Sequence, residues 1–389
     1  MKIPMILQAD SYKYSHYELF PKGTIINNSY IEARGWDKSF WHTEPELVVF
    51  GLQAFIMEHL TKPITHEDVD KAKRLLTLHG LPFNEDQWRK IVDEMGGRLP
   101  VQITAVPEGT VVKLGEPIVQ VQNTHTDYAW LASFVETSIL RAVWYPSTVA
   151  TLSREVKIII KKYLNISSDN VESELPFKLH DFGGRGVSSS ESAQLGGMAH
   201  LISFQGTDTV EALVAAEEYY DAGRFIPYIA GFSVPASEHS TITSWGKDAE
   251  YDAFANMVDK FKGRGGIISC VSDSFDIYKA VNEYWPKLKD EIVKSGSTLV
   301  VRPDSGDPEV VLPIILKSLS ESFGSSVNSK GFKVLENVRV LWGDGIDLQS
   351  IPRILATVIE HGFSTENLVL GMGGGLLQKV NRDTLKFAM

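Results

Sequence analysis

From about residue 175 onward, short apolar runs alternate with glycine- and aspartate-containing loops and with helix-like stretches. The runs include HLISF (200–204), YIAGFSV (228–234), GIISCV (266–271), STLVV (297–301), VRVLW (338–342) and LVLG (368–371). The loops are HDFGGRGVSSSES, FQGTDT, SVPASEHS, SDSFD, RPDSGDP, WGDGID and GMGGG. Apolar strands alternating with helices imply parallel strands and βα units. Seven such units predict an α/β chain with a (β/α) barrel-like domain, whose chemistry sits on the loops at the strand C-terminal ends.

Residues 1–150 read differently, as a mixed α+β domain ahead of a barrel-like domain over 151–389. GLQAFIMEHL (51–60) and DVDKAKRLLTLHG (68–80) predict helices, while the turn-broken β-type runs of residues 99–124 predict a hairpin or small sheet. In DYAWLASFVETSILRAVWYP (127–146), apolar residues at helical spacing predict a helix that stops at Pro146.

Composition narrows the class. The chain has 389 residues, 43% of them hydrophobic and 22% charged, as in soluble globular proteins. No run approaches the roughly 20 apolar residues of a membrane span. The N-terminal apolar patch turns polar by Gln8, too early for a signal-peptide core. A single cysteine, Cys270, excludes an intramolecular disulfide and fits a reducing cytoplasm. The formal net charge of −11 argues against a nucleic-acid surface. A small anionic ligand needs only a few converging arginines.

Such arginines are present. Arg185 lies in a Gly-Gly-Arg-Gly loop, Arg302 at a strand end before Pro-Asp-Ser-Gly, and Arg382 just after GMGGGLLQK. Arginines beside backbone amides at helix N-termini suit a phosphate or pyrophosphate. The familiar phosphate motifs are absent: there is no G-x-x-x-x-G-K-[ST], and Leu376 stands where the dinucleotide fingerprint needs its third glycine. No zinc-type cluster occurs, so any metal is expected to be Mg²⁺ carried by ligand phosphates and steadied by Asp273, Asp304 or Asp344. Taken alone, Asp208 and Asp273 each read first as helix caps, and Ser188 with Glu191 has capping-box spacing. His239 reads as a structural first-turn histidine or as a reactive one, since a helix N-terminus favours the neutral, nucleophilic ring. His180 reads as hydrogen-bonded structure, Trp144 and Tyr145 as core or dimer contacts, and Lys157, Lys161 and Lys162 as a solvated helix face.

Taken together, DSYK (10–13), KLHDFGGRGVSS (178–189), GTDT (206–209), SVPASEHSTIT (233–243), SDSFDIY (272–278), VRPDSG (301–306), GDG (343–345) and GGGLLQK (373–379) resemble the nicotinamide phosphoribosyltransferase family. The matching segments keep their order over nearly the whole chain. The resemblance implies a barrel-containing phosphoribosyltransferase fold and a homodimer with active sites shared between subunits. It implies transfer of phosphoribose from phosphoribosyl pyrophosphate (PRPP) to nicotinamide in NAD salvage. It further implies that Phe182 and the partner subunit's Tyr12 sandwich the pyridine ring, and that Asp208 accepts a hydrogen bond from the carboxamide. By the same resemblance, Arg185, His239 and Arg302 border the phosphates. Asp304, Gly343, Asp344, Gly374 and Arg382 hold the ribose and its 5′-phosphate, with Arg34 and Lys379 as additional phosphate contacts. The equivalent of His239 is transiently phosphorylated by ATP in the family, and Glu238 would orient it. Family members continue well past GGGLLQK, so this chain is expected to be a shortened variant or a truncated one.

Three other readings compete. Nicotinate phosphoribosyltransferase shares the fold, but a carboxylate at Asp208 would repel nicotinate. An inactive, ligand-sensing homologue would keep the loops without turnover. A barrel lyase or aldolase would want a Schiff-base lysine, for which the loops offer only Lys379.

Overall fold

A computed structural model describes residues 3–221, 228–262 and 266–389. The chain divides into two compact units, Met1–Thr151 with Val380–Met389, and Leu152–Lys379.

In the first unit, Asn28–Ala33 pairs antiparallel with Val119–Asn123, which pairs antiparallel with Val101–Ala105; Phe387–Ala388 adds to the other edge of Asn28–Ala33. The central VQVQN segment buries Val119, Val121 and Asn123 and turns its glutamines outward, the period-2 signature of a half-buried strand. The small sheet expected within residues 99–124 is therefore present. The two N-terminal helices also form, over Leu52–Leu60 and His66–Leu78. A cluster of Trp88, Trp130 and Phe134, with ring centroids 5.2–5.6 Å apart, fills the core.

Pro146 does not end its helix, which runs from Glu136 to Ser167. Tertiary contacts offset the local cost of the missing N–H. Phe50 and Ser147 exchange two 3.0 Å hydrogen bonds between backbone and hydroxyl, and Thr151 accepts from Val48 N–H at 2.9 Å. Gly51 permits this close approach: a Cβ there would lie 2.2 Å from Pro146 Cγ, and its φ of +105° already excludes most residues.

The second unit is built on six parallel strands: β1 (Leu179–Asp181), β2 (Gly206–Thr207), β3 (Ile267–Val271), β4 (Thr298–Arg302), β5 (Val338–Trp342) and β6 (Leu368–Met372). Their order is β2-β1-β6-β5-β4-β3. The two edges do not stay open. Phe232 bridges to Gly206, and Ala236 to Ser269, so residues 232–237 take the seventh place in the ring. Four backbone hydrogen bonds of 2.7–3.0 Å hold that segment on both sides. The α/β barrel-like expectation is thus realised with six strands and one bridging segment. YIAGFSV makes a single bridge instead of a strand. HLISF is also no strand: it closes the helix Ser190–Leu201, and the strand that follows is only Gly206–Thr207. A short apolar run buried at a helix end looks like a strand to any periodicity argument.

His200, in that run, is fully buried. Its Nε2 lies 3.2 Å from the Gly206 carbonyl, which only accepts, so Nε2 carries the proton and Nδ1 accepts from Ser153 Oγ at 3.1 Å. The ring also stacks on Phe204. Burial, only partly opposed by the charge of Asp181, pushes the His200 pKa from 6.5 down to about 4. The folded state keeps this ring neutral while the unfolded chain takes up a proton. His200 therefore supports stability fully above about pH 6.5 and progressively less as pH falls toward 4. Denaturation midpoints measured across this window should fall, with on the order of 3 kcal/mol traceable to His200. His200→Gln should flatten the slope while lowering stability at neutral pH.

Candidate functional site

The loops at the strand C-terminal ends are organised first by Asp181. This carboxylate is fully buried, accepts from Gly183 N–H at 2.7 Å and from the Thr207 hydroxyl at 3.3 Å, and so turns the chain sharply after β1. Its carbonyl accepts from Asp208 N–H at 2.9 Å, tying the β2 loop to the β1 loop. Phe182 follows Asp181 and donates its N–H to the Met372 carbonyl at 3.0 Å. Its ring lies directly on the backbone of β6, where a Cβ at Gly371 would come within 2.1 Å of the ring and one at Gly343 within 3.2 Å. The Arg302 guanidinium sits 5.0 Å from the centre of that ring, a cation–π contact. Gly374 packs against Gly186, which brings the two glycine-rich loops together.

A second set of contacts links the remaining loops. Asp273 has a side chain only 4% exposed, against 49% for His239. Its Oδ1 lies 3.2 Å from His239 Nε2, and its Oδ2 accepts from Asp304 N–H at 2.9 Å and from Ser305 Oγ at 2.5 Å. Arg302 in turn binds both oxygens of Asp304 at 3.0 Å. A carboxylate only accepts, so Asp273 holds His239 as the Nε2–H tautomer and leaves the lone pair on Nδ1.

Asp208 receives two donors on one oxygen, His180 Nε2 at 2.9 Å and Ser233 Oγ at 2.7 Å. Burial raises its pKa, but the hydrogen bonds from His180 and Ser233, with the charge of Arg302, outweigh burial and hold it below the ordinary aspartate value. The capping readings fail for these acids. Thr209 is the N-cap of Val210–Tyr220, Asp276 accepts from Tyr278 and Lys279 N–H, and the cap of Ser190–Leu201 is Ser189, not Ser188.

Thus Phe182, Asp208, His239, Asp273, Arg302, Asp304 and Gly343 belong to one contiguous contact network. Arg185 is exposed on its loop, with no side-chain hydrogen bond or ion pair among the described residues. Asp344 is exposed, its carbonyl accepting from Trp342 Nε1 at 2.7 Å, and Lys379 is exposed with its N–H on the Gly374 carbonyl at 2.8 Å. In the first unit, Arg34 and Arg382 line one recess of about 420 Å³ with Asp383, Lys386 and Phe387, and Tyr12 is 55% exposed. Among the described residues no group of three or more His, Cys, Asp or Glu has the arrangement of a metal site. Sequence reasoning passed over Asp181, Ser233, Ser305 and Gly371, and set His180 aside. Only Asp181 carried a signal, as an acid at a strand end before two glycines.

A flat aromatic face, a cation beside it and an ionised acceptor suit a planar heterocycle bearing a hydrogen-bond donor. Known proteins agree in kind. The nicotinate phosphoribosyltransferase (NAPRTase) family profile matches residues 177–389, and that of the nicotinamide phosphoribosyltransferase N-terminal domain matches residues 4–103. The nicotinamide phosphoribosyltransferase of Xanthomonas campestris pv. campestris is 50% identical over 99% of this chain and 80% of its own length. That of Acinetobacter baylyi is 32% identical over 98% of this chain and 80% of its own length. Among solved structures, human nicotinic acid phosphoribosyltransferase superposes with a TM-score of 0.60 at 16% identity, over 94% of this chain and 73% of that one. The nicotinate-nucleotide pyrophosphorylase of Pyrococcus furiosus reaches 0.55 at 16% identity, over 96% and 72%. These two likenesses show a shared fold. The profiles and the identities to the bacterial relatives go further: the chain belongs to the nicotinate phosphoribosyltransferase family, and within it to the nicotinamide phosphoribosyltransferases.

Proposed function

We propose that the chain transfers the 5-phosphoribosyl group from PRPP to nicotinamide, giving nicotinamide mononucleotide and pyrophosphate in NAD salvage. The observation that carries this reading is Asp208, an ionised carboxylate linked through His180 to the Phe182 ring and drawn on by the charge of Arg302. The names of the bacterial relatives support it. A carboxylate accepts from a carboxamide N–H but repels the carboxylate of nicotinate, and desolvated like charges cost several kcal/mol.

In the transfer, the ring nitrogen of nicotinamide bonds to ribose C1 as the bond from C1 to pyrophosphate breaks and its electron pair leaves with pyrophosphate. Positive charge grows on the sugar and negative charge on the leaving group. Arg185, Arg302 and His239 would offset the leaving-group charge, and the carboxylate of Asp304 would favour the cationic ring. Asp344, Gly343 and Gly374 would cradle ribose and its phosphate, with Lys379 supplying further positive charge. Asp273, Asp304 or Asp344 would steady a Mg²⁺ ion carried in by PRPP, whose charge would help neutralise the departing pyrophosphate. Stacking of nicotinamide between Phe182 and the partner subunit's Tyr12 would hold nitrogen in line with C1.

The reading includes ATP. With Nε2–H held by Asp273, the Nδ1 lone pair of His239 attacks the γ-phosphorus as the bond to the ADP oxygen breaks. Phosphohistidine would improve PRPP binding, and water would later cleave it to phosphate, drawing a near-balanced transfer forward.

Three measurements test this. In an assay of pyrophosphate release with PRPP, nicotinamide should be consumed far better than nicotinate, and Asp208→Ser should narrow that preference about 10- to 100-fold. Equal turnover of amide and acid by the unaltered protein would refute the assignment of Asp208. His239→Ala should fold and keep a slower, ATP-independent transfer while losing ATP hydrolysis; undiminished ATP turnover sinks the phosphohistidine. Tyr12→Ala and Phe182→Ala should each be nearly inactive. Refolding the two variants together should recover activity through mixed dimers with one intact site, and no recovery would argue against shared sites.

A further inference from the structure

We infer that His180 is a positioning residue that, together with Ser233, saturates one oxygen of Asp208 and leaves the other as the single acceptor offered to the substrate amide. The inference rests on reading Asp208 as that acceptor.

His180 is the middle residue of β1, between the buried Leu179 and Asp181, so strand alternation puts it on the opposite face of the sheet. Its partner across the parallel ladder is Gly206. That glycine is what admits the ring: a Cβ at Gly206 would lie 2.6 Å from His180 Nδ1. On its other flank the imidazole meets the Phe182 ring at 5.2 Å between centroids. Backbone and aromatic ring thus confine the imidazole, and its Nε2 comes to 2.9 Å from Asp208 Oδ1.

The acceptor is a carboxylate, so Nε2 is the donor. Ser233 Oγ donates to the same Oδ1 at 2.7 Å, while Oδ2 accepts no hydrogen bond among the described residues. The terminal torsion of aspartate is broad and two-fold, so an untethered Asp208 would present either oxygen at many angles. Two donors on Oδ1 remove that freedom. A carboxamide N–H then meets one oxygen in one orientation, with the ring it belongs to free to lie against Phe182. Ser233 is delivered by the bridging segment, so closure of the ring of strands also completes this arrangement.

The test compares kcat/KM and calorimetric affinity for nicotinamide and nicotinate in the full chain, His180→Leu, His180→Gln and Ser233→Ala. Glutamine can carry an N–H donor near the place of Nε2; leucine cannot. His180→Leu should lower the amide-over-acid ratio about tenfold, mostly through KM, with His180→Gln restoring most of it. Ser233→Ala should act in the same direction. His180→Leu added to Asp208→Ser should cost little more than Asp208→Ser alone, because both act on one interaction. A selective wild type whose preference survives His180→Leu, or a His180→Gln no better than His180→Leu, overturns this inference alone. A wild type indifferent to amide and acid overturns the reading of Asp208 and this inference with it.

Discussion

Parallel hydrogen bonding is the constraint from which the rest of the second unit follows. Because β1–β6 all run the same way, each strand delivers its last residue to the same rim, and each loop starts there. Six paired strands leave two open edges, which are costly and prone to mispairing. Residues 232–237 cover both edges and, being short of regular strand, free Ser233 and His239, the first residue of the helix His239–Thr243, to serve the rim.

On that rim two buried carboxylates set the geometry without needing to touch a ligand. Asp181 folds the Gly-rich turn back on itself and anchors the backbone of Asp208. Asp273 gathers the His239 helix and the loop of Arg302 and Asp304. A buried carboxylate is tolerable only when hydrogen bonds replace its hydration, and both acids meet that condition through backbone N–H groups and hydroxyls. The groups that would meet substrate, Phe182, Asp208, His239 and Arg302, are therefore held by neighbours that are themselves held. Glycine is the other enabling residue: at 371 and 206 its missing side chain makes room for the rings of Phe182 and His180.

Much of this was legible beforehand. STLVV, VRVLW and LVLG became β4, β5 and β6 because short apolar runs bounded by turn residues have few alternatives. HLISF was misleading because burial by neighbouring elements makes a helix end as apolar as a strand. Pro146 was misleading because its local penalty is offset by Ser147 and Thr151, whose partners at Phe50 and Val48 are remote in sequence. His180 was undervalued for the same reason, since its partner lies 28 residues away.

The sequence by itself determined the alternation of strands and helices, hence the parallel sheet, and it determined which chemical groups lie in the loops. Both follow from local information: periodicity, turn residues and the types of side chain after each strand. Only the tertiary structure decided which of those groups meet. The pairs His239–Asp273, Asp304–Asp273 and His180–Asp208 are 34, 31 and 28 residues apart. Their encounter depends on strand order, on register and on closure of the ring, and these are properties of long-range pairing that local pattern does not encode. That is also why the oxygen of Asp208 left for a ligand emerges only from the folded chain.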